Sequence, residues 1–510
     1  MQKKFKITAK TIFLIILLMI CSITVIMVSC SDANGNNSRS ADSENGHNAA
    51  GEDTETIGES NKNKLAYEYP IADFHGYTLR ILNVTNLWDM YTYLDKTEIN
   101  GEVLNDAVYN RNRDIEQRYN FILNEITIEK DVDGVKNAAV KSLMAGDNDY
   151  DIVYLSLVHV PALMLEGYFC NLLNIPELRL DKPWWDQQIV SSVKLGNSLF
   201  FATSPWHLMT FEGTWCLFFN ETMMENYNMQ KPYAAVSEGA WTIDKLHEYC
   251  LGAASLNGDA DFTWHPAGSA VYGIATHPNV VQKFIIGTGE KFADLNKDGY
   301  PVFTADNERF YNIITNLSKL LKSGDGAHFK ADAEDFSIPK GGYMHVFTTE
   351  RSMFLSGEIK AAQLMRNMDS TFGITPFPKF GEAQESYYSG TVYQLFVFLI
   401  PVTNPDPSIA GTIADVMSYQ SYVDVLPVYF DIVVSQKGLR NEESIQMLNI
   451  IRDTRRIDIG EVFGWTSSLA SSIAEKVFAG NDSVASDIAA ARPKTDESIK
   501  IMMEKFAELN

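Results

Sequence analysis

The side chains in this sequence best suited to act on a small molecule are aromatic rings set close to hydrogen-bonding groups. Trp88 precedes Asp89, Ser156 lies near His159, Trp206 near Glu212, and Arg366 beside Asn367; Tyr388 and Trp465 complete the set. Ring faces stack on C–H surfaces, while carboxylates, amides and guanidinium groups bind hydroxyls. Stacking contributes about 0.5–1.5 kcal/mol per ring beyond area burial. Two rings and a few charge-assisted hydrogen bonds therefore reach micromolar affinity, about -8 kcal/mol. Such a site captures a polar ligand and makes or breaks no bond. The spacings that serve bond-making chemistry are missing: there is no HExxH, GxSxG, Walker A loop or GxGxxG. Carboxylates are too numerous for one pair to be nominated as acid and base, so the chain is expected not to be an enzyme.

No metal or cofactor is expected either. The run DLNKDG, Asp294 to Gly299, starts like a calcium loop, but its twelfth position is Ala305 where a bidentate Glu is needed, and a tight acidic turn is the better reading. Cys170, Cys216 and Cys250 lack CxxC spacing and sit in apolar surroundings, as buried free thiols do.

These residues need elements to hold them. YTLRILNV, Tyr77 to Val84, reads as a strand leading to Trp88 and Asp89. Leu104, Val108, Ile115 and Tyr119 fall at helical spacing; the strands FILNEITI and YDIVYL follow, then the helix PALMLEGYF with Gly167 as its stop. In Gly196 to Asn220, the apolar runs SLFFA and TWCLFF read as strands on either side of a loop carrying Trp206, His207, Thr210 and Glu212. A helix begins at Thr242, a capping hydroxyl. Phe347 to Leu355 reads as a short helix, and Ile359 to Leu364, Phe372 to Thr375 and Val392 to Ile400 as strands. From Pro407 onward only helices are expected, with Gly438 as a stop and Asn441 as a cap. Alternating strands and helices imply α/β layers around a largely parallel sheet, in which ligands bind beyond the strand ends. Trp184, Trp185 and Trp241 read as structural.

At 510 residues the chain exceeds one hydrophobic core. Its formal charge of -23 repels phosphate backbones and excludes nucleic acid as a partner. Lys3, Lys4, Lys6 and Lys10 precede an apolar run from Ile12 to Val28, the pattern of an export signal over residues 1–29. Residues 30–64 are rich in Ser, Asn, Gly, Asp and Glu and read as a flexible tether. The junction Met27, Val28, Ser29, Cys30 resembles the lipobox of bacterial lipoproteins, which implies lipidation at Cys30 and a body held at the cell membrane on its extracellular or periplasmic side.

GEVLNDAVYNRNRDIEQRYN, YDIVY, SLFFA, EGAWTIDKLHEYC, FGITPFPKF and LRNEESIQMLNIIRDTRRIDIGEVF, in that order, resemble the family 1 extracellular solute-binding proteins, lipoproteins that deliver sugars to ABC importers. The resemblance runs from about residue 75 to the C-terminus. It implies a two-lobed periplasmic-binding-protein-like fold of type II, with discontinuous lobes joined by two or three hinge segments and an all-helical C-terminal portion. On it, residues 70–204 and 345–402 form lobe one, and 205–344 and 403–510 lobe two. It implies a carbohydrate ligand, permease subunits as partners, and a monomer. Trp88, Asp89, Ser156, His159, Trp206, Glu212, Arg366, Asn367, Tyr388 and Trp465 are the ligand-binding candidates, with Trp206 where ligand and hinge meet. The alternatives are a surface glycoside hydrolase or lyase using the same aromatic cleft, and a ligand sensor without transport.

Overall fold

The computed structural model describes residues 67–322, 324–330, 342–392, 394–436, 439 and 441–509. The expected leader (1–29), the tether (30–64) with Cys30, and the Gly438 stop lie outside the described residues.

The chain begins with β1 (Tyr77–Thr85), α1 (Val103–Tyr119), β2 (Phe121–Glu129), α2 (Val132–Ala145), β3 (Ile152–Ser156), α3 (Val160–Leu165) and α4 (Gln187–Val193). A short helix α5 (Met209–Glu212) leads into β4 (Trp215–Asn220), α6 (Glu221–Asn226), α7 (Tyr233–Ser237), α8 (Ile243–Ala253), β5 (Tyr272–Thr276) and α9 (Val280–Gly287). Next come β6 (Ala293–Leu295), β7 (Pro301–Phe303), α10 (Glu308–Leu320), β8 (His328–Lys330), α11 (Tyr343–Thr348), β9 (Ser352–Glu358), α12 (Ala361–Leu364), β10 (Phe372–Thr375), β11 (Ser389–Gly390) and β12 (Phe396–Leu399). The rest is α13 (Pro407–Gln420), a π-helical turn (Ser421–Val425), α14 (Leu426–Val434), α15 (Glu442–Asp453), β13 (Arg455–Arg456), α16 (Ile459–Val462), α17 (Ser467–Phe478) and α18 (Ala485–Leu509).

Two sheets carry the architecture. The first has the order β12-β3-β1-β2; β1 runs parallel to β2 and β3, and β12 antiparallel to β3. The second has the order β10-β4-β9-β5-β8, with β5 parallel to β8 and β9 but β4 antiparallel to its neighbours. All five residues of β3 and all five of β5 are buried, because helices cover both faces. Each sheet anchors its own apolar core, one around Leu82, Val153, Trp185 and Phe398, the other around Phe218, Phe284, Phe310 and Phe354.

Local chemistry sets the helix starts. Thr242 Oγ1 accepts from Lys245 N (3.2 Å) and Asn441 Oδ1 from Ser444 N (2.7 Å), the two caps expected from sequence. Gly167 follows α3 at φ +75°, the left-handed stop expected there. Gly273 serves close approach: a Cβ on it would run into Cys250 of α8, so only glycine lets that helix lie on β5.

Several expectations are corrected. Residues 345–402 were assigned to lobe one, yet β9 and β10 hydrogen-bond beside β4 in the second sheet, and only β12 returns to the first. The helix expected over Phe347 to Leu355 ends at Thr348, and the strand expected over Ile359 to Leu364 is the helix α12. Strand β9 takes the space between, because Met353, Phe354 and Leu355 are wholly buried in the sheet interior. SLFFA is extended but forms no strand of either sheet, contributing only isolated bridges from Ser198 to Leu195 and from Ala202 to Phe398. The C-terminal portion is not purely helical, since β13 pairs with β11. Its helices also serve both cores: Ile413 and Met417 belong to the first, Tyr429 and Phe430 to the second. Among the described residues the chain passes between the cores many times: on either side of Leu104 and Val108, near 208–215, on either side of Ala293, at 392, through the π-helical turn, at 451–457, at 463–469 and along α18.

Candidate functional site

β1 and β3 are parallel, so the loops after them open at the same edge of the first sheet; β5 presents its carboxyl end in the second. Between the two edges lies a cleft of about 600 Å³. Val158, Pro161 and Ala162 line it from the β3–α3 side, Asn279 and Gln282 from the β5–α9 side. Glu461, Phe463 and Ser467, where the chain passes between the cores, line the rest. A smaller hollow shares Val158, Glu461 and Val462 and reaches toward Thr391, Arg456 and Asp458. Ligands in open α/β sheets bind outside the carboxyl ends of parallel strands, and this cleft lies there in both sheets at once.

Its lining sets hydrogen-bonding side chains beside an apolar surface. Asn279, Gln282, Ser467 and Ser471 make no side-chain hydrogen bond among the described residues, which leaves amide and hydroxyl groups free toward the cleft. Phe463 supplies an apolar surface and is itself backed by the stacked ring of Trp465, with centroids 4.9 Å apart. Asp458 fixes this passage. Its carboxylate accepts from Phe292 N (2.5 Å), Ala293 N (3.3 Å) and Gly460 N (2.8 Å). Burial nevertheless pushes its pKa up to about 6, because desolvation outweighs those bonds.

The sequence candidates divide into three groups. His159 and Trp465 stand next to residues of the cleft lining, and Tyr388 next to Arg456 of the smaller hollow. His159 caps α3 between Val158 and Pro161, with Nε2 3.3 Å from Asp133 Oδ1; burial and Lys136 outweigh that carboxylate and lower its pKa. The Tyr388 ring lies under the Arg456 guanidinium, 3.4 Å from its centroid. Trp88 and Asp89 occupy the loop after β1, both at positive φ (+50° and +56°), with Trp88 47% exposed.

A second group is buried away from the cleft. Trp206 is 1% exposed and meets Tyr154 edge-to-face, with centroids 6.2 Å apart, inside the first core. The loop expected to carry it into a cleft is instead folded under the sheet by the apolar run around it. Ser156 is buried and donates to the carbonyl of Gln394 (3.4 Å). Glu212, also buried, accepts from the backbone N–H of Tyr91 and lies 3.6 Å from Lys360 Nζ. Burial still pushes its pKa up to about 7, because one ammonium at that distance does not replace lost hydration.

Arg366 and Asn367 form the third group, exposed and at the wrong end. The chain reaches them after α12 and re-enters the second sheet at Phe372, paired with Asn220 at the carboxyl end of antiparallel β4. That is the amino end of β5, opposite the cleft. Sequence reading overlooked Asn279, Gln282, Glu461 and Ser467. The junction YGIAT–HPN has the same strand-to-helix form as YDIVYL–SLVHV, so the rule that selected His159 also selects Asn279.

Among the described residues no group of three or more His, Cys, Asp or Glu is placed to hold a metal ion, and no helix is long and apolar enough to cross a membrane. In the DLNKDG turn, Asp294 bonds to Lys291 (2.9 Å) and Asn296 Oδ1 accepts from Asp298 N and Tyr300 N, a closed turn between β6 and β7. Trp184 and Trp185 both donate to the buried Asp415 (2.7 and 3.1 Å), a structural arrangement.

No protein-family model and no curated protein matches the sequence. Solved structures do match the fold over most of the chain. The galacto-N-biose/lacto-N-biose I-binding protein of an ABC transporter from Bifidobacterium longum, in complex with lacto-N-biose, superimposes with TM-score 0.56 at 10% identity, covering 85% of this chain and 99% of that one. An ABC substrate-binding protein from Listeria monocytogenes in complex with cycloalternan gives TM-score 0.50 at 12% identity, covering 85% and 99%. A solute-binding protein from Thermotoga lettingae bound with α-D-tagatose gives 0.50 at 14% identity, covering 83% and 100%. All three are named as binding proteins, and at these identities the likeness is one of fold. The chain has the two-lobed α/β fold of the solute-binding proteins of ABC transporters.

Proposed function

We propose that this chain is a lipid-anchored extracellular binding protein that captures a carbohydrate between two lobes and delivers it to the permease subunits of an ABC importer. The observation that carries the reading is the cleft between the carboxyl ends of β3 and β5, with its unengaged amides and hydroxyls beside Phe463. Its volume of about 600 Å³ falls within the roughly 300–1,000 Å³ of small-molecule sites. Sheet membership supports lobes built on residues 77–206 with 395–423, and on 215–390 with 425–451. His159 and Trp465 adjoin residues of the cleft lining and Tyr388 adjoins the smaller hollow, while Trp88 and Asp89 stay candidates on the loop after β1. The basic and apolar leader, the polar tether and Cys30 support anchoring on the outer face of the membrane.

The test is a ligand panel of maltotetraose, lacto-N-biose, cycloalternan and tagatose against the full-length chain in detergent. Melting temperature and tryptophan fluorescence are the readouts. At least one sugar is expected to raise the melting temperature in a saturable way, since a ligand bound only by the folded state stabilises it by mass action. No response to this or a wider glycan panel would reject carbohydrate capture.

A further inference from the structure

Glu461 is the only charged residue on the lining of the larger cleft. It projects from the first turn of α16, with its side chain 19% exposed. Its nearest ionic partner is Lys283 on α9, whose side chain is 3% exposed and whose Nζ stands 3.8 Å from Glu461 Oε1. That separation is an ion pair without a short hydrogen bond, and the Glu461 carboxylate makes no hydrogen bond through its side chain among the described residues. Lys283 is walled in by Gly390, where an added Cβ would press on its Cδ, and its field also reaches the half-buried Glu358. The ammonium is therefore fixed and turned from the ligand space, and it neutralises Glu461 while leaving the acceptor positions unused.

Resting on the carbohydrate reading above, we propose that Glu461 is the specificity-determining residue of the cleft, accepting hydrogen bonds from the two hydroxyls of a vicinal diol of an uncharged ligand, and that Lys283 is its positioning residue. A carboxylate has two oxygens side by side and can accept from adjacent hydroxyls as it does from a guanidinium fork. Lys283 balances the charge from the far side, but a ligand carboxylate would meet only the acceptor oxygens of Glu461, with no hydrogen to share between them and no basic residue on the larger cleft's own lining. The site thus selects neutral polyols and glycans and rejects uronates of the same shape.

The experiment measures affinity of the full-length chain, by tryptophan fluorescence, for each neutral sugar of the panel and for its C6-oxidised uronate where one can be made. The parent protein is expected to favour the neutral form by tenfold or more. Glu461→Gln should weaken neutral-sugar binding on the order of 10- to 100-fold, the range for loss of hydrogen bonds to a charged group, while the melting temperature without ligand stays close to the parent's. The variant should also narrow the preference against uronates. Lys283→Met should weaken binding as well, without reversing that preference. If the parent binds a neutral sugar and Glu461→Gln keeps both affinity and preference, the assignment of Glu461 falls and carbohydrate capture stands. If the parent binds no sugar at all, the reading and the assignment fall together. Should the variant fail to fold, the parent's own comparison decides: equal affinity for neutral sugar and uronate overturns the proposal.

Discussion

Replacing Trp206 by Ala removes an indole that is 1% exposed and packed against Tyr154. Loss of a buried ring of this size costs about 3–5 kcal/mol, so denaturant unfolding should move by that amount. Affinity of the folded variant for a bound sugar should change far less than with Glu461→Gln. A loss confined to affinity would return Trp206 to the binding site. The sequence showed an aromatic in a polar loop but not which side of the sheet the loop takes. That choice depends on Phe396 and Phe398, nearly two hundred residues away, on which the loop packs. Glu212 carries a second prediction. Its pKa is raised to about 7 from an ordinary carboxylate value, so the folded chain holds a proton that the unfolded chain releases at lower pH. Its contribution to stability is fully present below about pH 4.5 and is lost as pH rises toward 7. Asp458, raised to about 6, acts in the same direction. Buried His207 acts oppositely: its pKa is lowered to about 3, so stability is lost as pH falls below about 6.5. Glu212→Gln should flatten the fall in melting temperature between pH 5 and 7 and leave the acid limb in place; an unchanged slope would show that Glu212 is ionised at neutral pH without penalty.

Elements were legible wherever pattern and cap agreed. β1, β2, β3, α8 and α15 follow the expected runs and stops, because alternation, β-branched content and capping residues act within a few neighbours. The stretch from Phe347 to Leu364 was misread, because a fully buried strand and a buried helical turn show the same continuous apolar run. Packing between elements sets two further outcomes. Gly273→Ala places a methyl group against Cys250 of α8, which should lower stability by about 1–3 kcal/mol, read by urea unfolding. Arg455 of β13 bonds at 2.5 Å to Asp186, the cap of α4, and both are buried, while its guanidinium lies 3.9 Å over the Phe211 ring. Arg455→Ala leaves that carboxylate unpaired and is expected to cost about 3–5 kcal/mol; Asp186→Asn in the same background should recover part of it, and no recovery would assign the loss to stacking on Phe211 instead.

The two-lobed plan was legible from the order of short matches, but the path of the chain was not. A sheet accepts β9 and β10 on hydrogen bonds and burial, and neither property says which sheet, so the return of 345–402 to the first lobe failed while β12 kept its place. The site was partly legible for the same reason. His159 and Trp465, which adjoin the cleft lining, were picked from strand ends and local pattern, whereas the pairing of Glu461 with Lys283, 178 positions earlier in the chain, leaves no local signal. The repeated passage of the chain between the two cores has a mechanical meaning. A body divided by one or two strands of backbone turns like a door on a pin, and a single substitution can free or jam it. Here many segments share the load, among them a helix that changes core through a π-helical turn. A rotation of one core against the other would therefore be distributed as small torsions over all of them, and no single joint would set the resting position.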